Sequence, residues 1–194
     1  MTVRLGVRGD AAVVAAMLAR AFGDDPVFAW IFPDPVVRPA RLQRLFRQLY
    51  ASDLRGGTAL VTPAGEAATL WRAPGRAQVG WGEMLRHAVP LIGAIGGALP
   101  RALAAGSAID AHMPVGDFWY LHIAGCDPAM QGRGLGRQVL TAGLSRFAGR
   151  LPCYLETALE RNLGFYASAG FRVTGEWRIR RDGPRMWSML RAPD

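Results

Sequence analysis

The sequence predicts an α/β domain built on a mixed sheet. Segments with the two-residue period of strands interleave with segments of helical period, in the order β-α-α-β-β, then helices, then β-α-β-α-β-β. The 194 residues, 51% hydrophobic, suffice for one sizeable core and would leave two separate cores near the lower limit of stability. No structureless linker or internal repeat divides the chain, so residues 1–194 are read as one domain.

Val3–Arg8 alternates apolar with polar or small residues, the mark of a half-buried strand. Asp10 stands at the N-cap position of a helix over Ala11–Phe22. Gly23-Asp24-Asp25-Pro26 ends that helix, and an aromatic loop with Phe28, Trp30 and Phe32 follows. A second helix runs from about Val36 to Ala51, with Leu42, Leu45, Phe46 and Leu49 at helical spacing and arginines opposite. Thr58–Thr62 and Glu66–Trp71 form a hairpin across Pro63-Ala64-Gly65. Between Trp81 and about Ala105 the helical pattern is broken by Pro90, Gly93, Gly96, Gly97 and Pro100 into two or three short helices. Phe118–Gly125 is a strand, Gly134–Gly149 a helix and Cys153–Thr157 a strand. A short helix over Arg161–Ala169 stops at Gly170, and strands over Phe171–Arg180 and Met186–Arg191 close the chain.

All 23 basic residues are arginine, and the formal charge is +8. That balance favours anionic partners, but the arginines are spread along the chain, without the concentrated basic face of a nucleic-acid surface. Cys126 and Cys153 are too few for a disulfide framework and read as free thiols. With His122 they lack metal-ligand spacing, so no metal is expected. The N-terminal residues lack a secretion signal, and the most apolar run, Ala88–Leu99, is too short to span a bilayer. A cytoplasmic protein with no membrane and no nucleic-acid partner is the expectation.

The informative run is Gln131-Gly132-Arg133-Gly134-Leu135-Gly136-Arg137, which follows a strand and opens a helix. Glycines let the backbone approach a ligand, and free N–H groups at the positive end of a helix dipole suit a pyrophosphate. Arg133 and Arg137 add charge beside it. The run is not a P-loop, because the chain contains no lysine. It is not a dinucleotide loop either: from Gly132 the third glycine position is Arg137, and from Gly134 it is Leu140.

Gln131, Gly134 and Gly136, spaced Gln-x-x-Gly-x-Gly, resemble the acetyl-coenzyme A pyrophosphate loop of the GNAT acetyltransferase superfamily. Gly125-Cys126-Asp127-Pro128 ahead of it, and Asn162-Leu163-Gly164-Phe165-Tyr166 with Gly170-Phe171 behind it, are similar to the family's flanking motifs. The likeness covers Phe118–Val173 well. Leu155-Glu156-Thr157, Gly183–Met189 and Ala21–Asp24 further resemble the puromycin N-acetyltransferase branch, whereas residues 56–115 match only loosely.

The resemblance implies a GNAT fold: a mixed, mostly antiparallel sheet flanked by helices, with a splayed central strand pair. It implies acetyl-coenzyme A as co-substrate, bound in residues 116–194, and an acceptor side formed mainly by residues 1–115. It implies direct transfer of acetyl to a primary amine of a small molecule, with a protein or peptide amine, or a non-catalytic acyl-coenzyme A-binding domain, as alternatives. By the same resemblance Ala124, Gly125 and Cys126 contact the pantetheine arm, and Gly125 is the bulge residue, with tight packing as the other reason for a glycine in the strand. Gln131, Gly132, Arg133, Gly134, Leu135, Gly136 and Arg137 hold the pyrophosphate, and Asn162 touches the cofactor arm. Tyr166 protonates the leaving thiolate, and Glu156, opposite Leu155 on its strand, deprotonates the amine directly or through water. His122 on the same strand as Gly125 is an alternative base, although a strand histidine with a local hydrogen bond is the favoured reading. Phe28, Trp30 and Phe32 beside Asp24, Asp25 and Asp34 are a candidate surface for a flat cationic acceptor, although an anchor for the loop explains them as well. The oligomeric state stays open, with a homodimer among the options.

Overall fold

A computed structural model describes residues 3–78, 95–147 and 149–193. The short helices expected between 81 and 94 lie outside the described residues. The strands are β1 (Arg4–Leu5), β2 (Gly57–Val61), β3 (Ala67–Arg72), β4 (Trp119–Cys126), β5 (Cys153–Thr157), β6 (Arg172–Arg178) and β7 (Arg185–Arg191). The helices are α1 (Ala11–Ala21), α2 (Pro26–Ile31), α3 (Arg38–Gly56), α4 (Leu99–His112), α5 (Leu135–Phe147) and α6 (Leu163–Ala167). All seven strands join one sheet in the order β1-β2-β3-β4-β5-β7-β6. Every pairing is antiparallel except β4 with β5.

That parallel pair is short. Trp119 faces Cys153 and Tyr120 faces Tyr154, and no further residues pair. Beyond this point β4 stays on β3 as far as Cys126, while β5 stays on β7 as far as Thr157. The two halves of the sheet therefore part at its centre, as the family resemblance implies.

The period-two rule assigns each strand side chain to a face. Leu70, Val14, Leu18, Phe46 and Ile123 belong to a core under α1 and α3. Trp71, Leu121, Leu140, Leu155 and Met189 belong to a second core under α5 and α6. Leu121 and Ile123 lie on opposite faces although two residues apart, because β4 carries a bulge between them. Leu70 pairs with Ile123 and Trp71 with Leu121, leaving His122 as the extra residue. The bulge expected at Gly125 is therefore at His122. Gly125 pairs regularly with Ala68. A Cβ there would come within 2.5 Å of Leu18 Cδ2 and 3.3 Å of Phe22 Cε2, so Gly125 is a glycine because α1 crosses β4 closely.

Several local expectations change for equally local reasons. Only Arg4–Leu5 of the first strand is paired. Asp10 does not cap α1: its carboxylate accepts the Val7 N–H at 2.8 Å and the two terminal Arg4 guanidinium nitrogens at 2.7 Å. The aromatic loop contains a helix, α2, with Pro26 in its first turn and the Asp25 side chain accepting the Val27 and Phe28 N–H groups at 2.9 and 3.3 Å. The second helix starts at Arg38 and continues to Gly56, past the expected end at Ala51. The described end of the broken helical region is one helix reaching His112.

Gly143 of α5 faces the fully buried Trp71, and a Cβ there would lie 2.6 Å from three indole atoms. Gly143→Ala is expected to destabilise the fold by about 1–3 kcal/mol through overpacking. Urea unfolding should show a lower midpoint with an unchanged slope.

Candidate active site

The parted strands open a cleft of about 1000 Å³. One end is the turn between β4 and α5. Arg20 of α1 pairs with the Asp127 carboxylate at 2.5 Å, and Asp127 in turn accepts the Ala129 N–H at 3.1 Å, so the turn is tied to α1 where it leaves β4. Gly132 and Gly134 both have φ of 77°, the left-handed region that glycine tolerates without a Cβ clash. Gly134 offers its carbonyl to Gln138 N–H at 3.0 Å and so stands at the mouth of the helix. The N–H groups of Gly132, Arg133 and Gly134 make no backbone hydrogen bond among the described residues. Unpaired donors and the helix dipole converge there, which is the chemistry a diphosphate needs, and Arg137, whose guanidinium donates to the Ser168 hydroxyl at 3.2 Å, adds positive charge to the lining of the same cleft.

Gln131, Gly132, Gly134, Leu135, Gly136 and Arg137 line this cleft together with Ala124, Gly125, Cys126, Glu156, Asn162 and Tyr166. The structure thus brings together residues read from separate motifs. Arg133 is the exception: its side chain is exposed and the residue does not line the cleft. The surface read from Asp24 to Asp34 also divides. Asp25 and Phe28 line the cleft. Phe32 and Asp34 line a separate cavity, and Trp30 stacks under Arg101 at 5.7 Å. Phe28 itself packs edge-on against Phe22 and Phe46.

Glu156 projects opposite Leu155, toward the α3 and α4 side of the sheet. Tyr120, next to it across the parallel pair, donates its hydroxyl to Glu156 Oε2 at 2.8 Å. Oε1 is buried and has no hydrogen-bond partner among the described residues. Burial pushes the Glu156 carboxyl up to about 7, against the opposing hydrogen bond from Tyr120. A carboxyl there exists in both protonation states near neutral pH, the condition a general base needs. Tyr120, also buried and beside this carboxylate, is held well above the ordinary tyrosine value and remains a donor.

Tyr166 is 7% exposed and packs edge-on against Phe165 and Phe171. Burial, and then the charge of Asp25, push its hydroxyl up to about 12, so it carries its proton at neutral pH. Burial raises Asp25 to about 6, against the two N–H bonds it accepts and the Arg161 charge. Asn162 lies in the turn before α6, with its amide nitrogen 3.4 Å from the Thr157 hydroxyl.

Sequence reasoning weighed His122 as a possible base but missed three residues around it, Asp53, Arg72 and Tyr120. His122 is not paired locally: its Nδ1 is 2.7 Å from Asp53 Oδ2 of α3. Arg72 of β3 holds the other Asp53 oxygen at 2.6 Å. Tyr120 joins them as the partner of Glu156. A signal for Asp53 existed, since it continues the apolar stripe of α3 four residues after Leu49, where a lone carboxylate is out of place.

No known protein-family model matches the sequence. Solved structures do. A Corynebacterium glutamicum protein described as histone acetyltransferase HPA2 and related acetyltransferase is 26% identical, with TM-score 0.75, over 100% of this chain and 96% of its own. The chain has the GNAT acetyltransferase fold. Arylalkylamine N-acetyltransferase 2 from Aedes aegypti shares that fold at 14% identity and TM-score 0.64, over 100% of this chain and 99% of its own. Drosophila melanogaster polyamine N-acetyltransferase, which forms N-acetylagmatine, shares it at 16% and 0.63, over 97% of this chain and 98% of its own. In GNAT terms, the cleft lies where β4 and β5 part. Among the described residues no helix is long and apolar enough to cross a membrane.

Because the folded Glu156 value of about 7 exceeds its ordinary 4.5, the folded state binds more protons between these limits. The associated stability is fully present below the ordinary value and is lost as pH rises through about 7. Glu156→Gln, which keeps the acceptor for Tyr120, should therefore be more stable than wild type by about 3 kcal/mol near pH 8 and close to it near pH 4. Unfolding curves at the two pH values check this.

Proposed function

We propose that the chain transfers an acetyl group from acetyl-coenzyme A to a primary amine of a small molecule, by direct attack of the amine on the thioester. One observation carries the reading: a single cleft runs from a diphosphate-type helix terminus, along the unpaired edge of β4, to a carboxyl poised near neutral pH and a protonated tyrosine.

The roles follow from position and charge. Gly132, Gly134 and Gly136 with Arg137 hold the diphosphate, and Gln131 and Leu135 complete that turn. Ala124, Gly125 and Cys126 offer backbone groups to the pantetheine arm, in the manner of strand addition. Asn162 borders the same arm. Arg133 contributes only long-range charge, since it stands outside the cleft. Glu156 takes a proton from the acceptor nitrogen, and Tyr166 gives its proton to the departing sulfur.

A small acceptor is favoured over a protein side chain by the walls on the acceptor side. Phe22, Phe28, Ile31, Leu45 and Ile109 enclose the cleft, a lining that suits a compact amine with an apolar body. The relatives that act on arylalkylamines or form N-acetylagmatine support an amine acceptor. The likeness of Gly183–Met189 to the puromycin branch points the same way.

Purified protein mixed with acetyl-coenzyme A should release free thiol on addition of an amine from a library of arylalkylamines, diamines and aminonucleosides. No release with any of them would refute the reading. Tyr166→Phe should lower kcat by ~10²-fold while leaving the coenzyme affinity within about twofold, because the hydroxyl acts only as the thiolate forms. Isothermal titration calorimetry and single-turnover kinetics separate the two effects.

A further inference from the structure

The floor of the cleft holds a second ionisable assembly beside Glu156. His122 stands at the bulge of β4, with its side chain 17% exposed and bordering the cleft. The bulge turns both His122 and Ile123 to the α3 side of the sheet, which brings the imidazole onto Asp53. Asp53 is fully buried and divides its oxygens between His122 Nδ1 at 2.7 Å and Arg72 Nε at 2.6 Å. Arg72 is tied further by donating Nη1 to the Ala77 carbonyl at 2.9 Å. A carboxylate with a guanidinium on one oxygen stays ionised, and its other oxygen demands a proton donor. Neutral His122 therefore keeps its proton on Nδ1 and carries its lone pair on Nε2. No described residue hydrogen-bonds Nε2.

The charged and titratable groups around the imidazole are Asp53 from α3, Arg72 from β3, Tyr120 from β4 and Glu156 from β5, with Asp110 of α4 behind Arg72 and Glu156. Burial, and then the Arg72 charge, lower the His122 pKa, while Asp53 opposes them. The imidazole is thus a neutral acceptor at physiological pH.

Amide formation from an ammonium requires two protons to leave the same nitrogen, one before attack and one from the tetrahedral adduct. Glu156 has room for one. Resting on the acetyl-transfer reading above, we propose that His122 Nε2 accepts one of these protons and Glu156 the other, with Asp53 as the positioning residue for His122. The ammonium gives its first proton to Nε2, and the resulting imidazolium keeps its Nδ1–H on Asp53. The freed nitrogen pair forms the C–N bond as the carbonyl pair moves to oxygen. Glu156 takes the second nitrogen proton. The oxygen pair then re-forms the carbonyl, the C–S bond breaks with its electrons on sulfur, and Tyr166 protonates that sulfur. Solvent exchange returns the Glu156 proton to Tyr166 and removes the His122 proton, so one proton is released per turnover.

Two acceptors of equal shape test this, an alkylamine protonated at neutral pH and its fluorinated analogue, largely neutral there. His122→Gln keeps a donor for Asp53 but cannot accept a proton. It should lose ~10²-fold in kcat/KM with the alkylamine and no more than about threefold with the fluorinated amine. Added imidazole should restore part of the alkylamine rate to His122→Ala. Asp53→Asn strips the buried Arg72 of its counter-ion, so the dyad is also read in the wild type by nitrogen NMR of its histidines. His122 should show the Nδ1–H tautomer and titrate below the ordinary histidine range. Equal losses with both amines, or an Nε2–H tautomer, would overturn the proposal while leaving acetyl transfer intact. A wild type that releases no thiol with any amine would remove the transfer reading and this proposal together.

Discussion

The parting of β4 from β5 is the constraint on which the rest of this structure depends. A parallel pair that hydrogen-bonds only at Trp119–Cys153 and Tyr120–Tyr154 leaves the remaining edge of β4 without a strand beside it. Backbone groups at such an edge need partners, and an extended ligand supplies them as readily as a strand does. Each half of the sheet is held by its own neighbours, β4 by β3 and β5 by β7. The opening is therefore built into the pairing scheme and costs neither half its ladder.

The same opening explains the electrostatics. Tyr120, in the last bonded pair, reaches Glu156 two residues past its partner Tyr154, where burial penalises the carboxylate and hydrogen bonding only partly compensates. Tyr166 reaches the cleft from the other core, under α6, and burial keeps its proton on. One group thus has a proton to give and the other a readiness to take one, although both are buried. The difference is chemical: burial favours the neutral form of each, and for a phenol that form is a donor at every physiological pH. His122 is the converse case. Burial favours its uncharged form too, and for an imidazole that form is a base.

The bulge at His122 adds a third element. By inserting one residue it reverses the facing of β4, so that Leu121 packs under α5 while His122 and Ile123 turn toward α3. A regular strand would present one of them to each side. The Asp53–His122 contact thus depends on a local irregularity of β4 and on α3 extending beyond the residues its apolar stripe first suggests.

By itself the sequence determined what depends on neighbours along the chain. Period-two and period-3.6 patterns placed the hairpin, β5 and α5, and the glycine spacing at 131–137 marked a helix terminus suited to phosphate, because dihedral freedom and side-chain facing are local properties. Tyr166 and Glu156 were marked as candidates because each sits inside a run that resembles a known motif. Only the tertiary structure decided which side chains meet. His122 and Asp53 are 69 residues apart, and Tyr120 and Glu156 are 36 apart. The bulge was misplaced at Gly125 because a glycine in a strand looks the same whether it bends the backbone or makes room for a crossing helix, and only the position of α1 distinguishes them. Pairing across a sheet and against a helix is fixed by packing many residues at once, and no window of sequence contains that information.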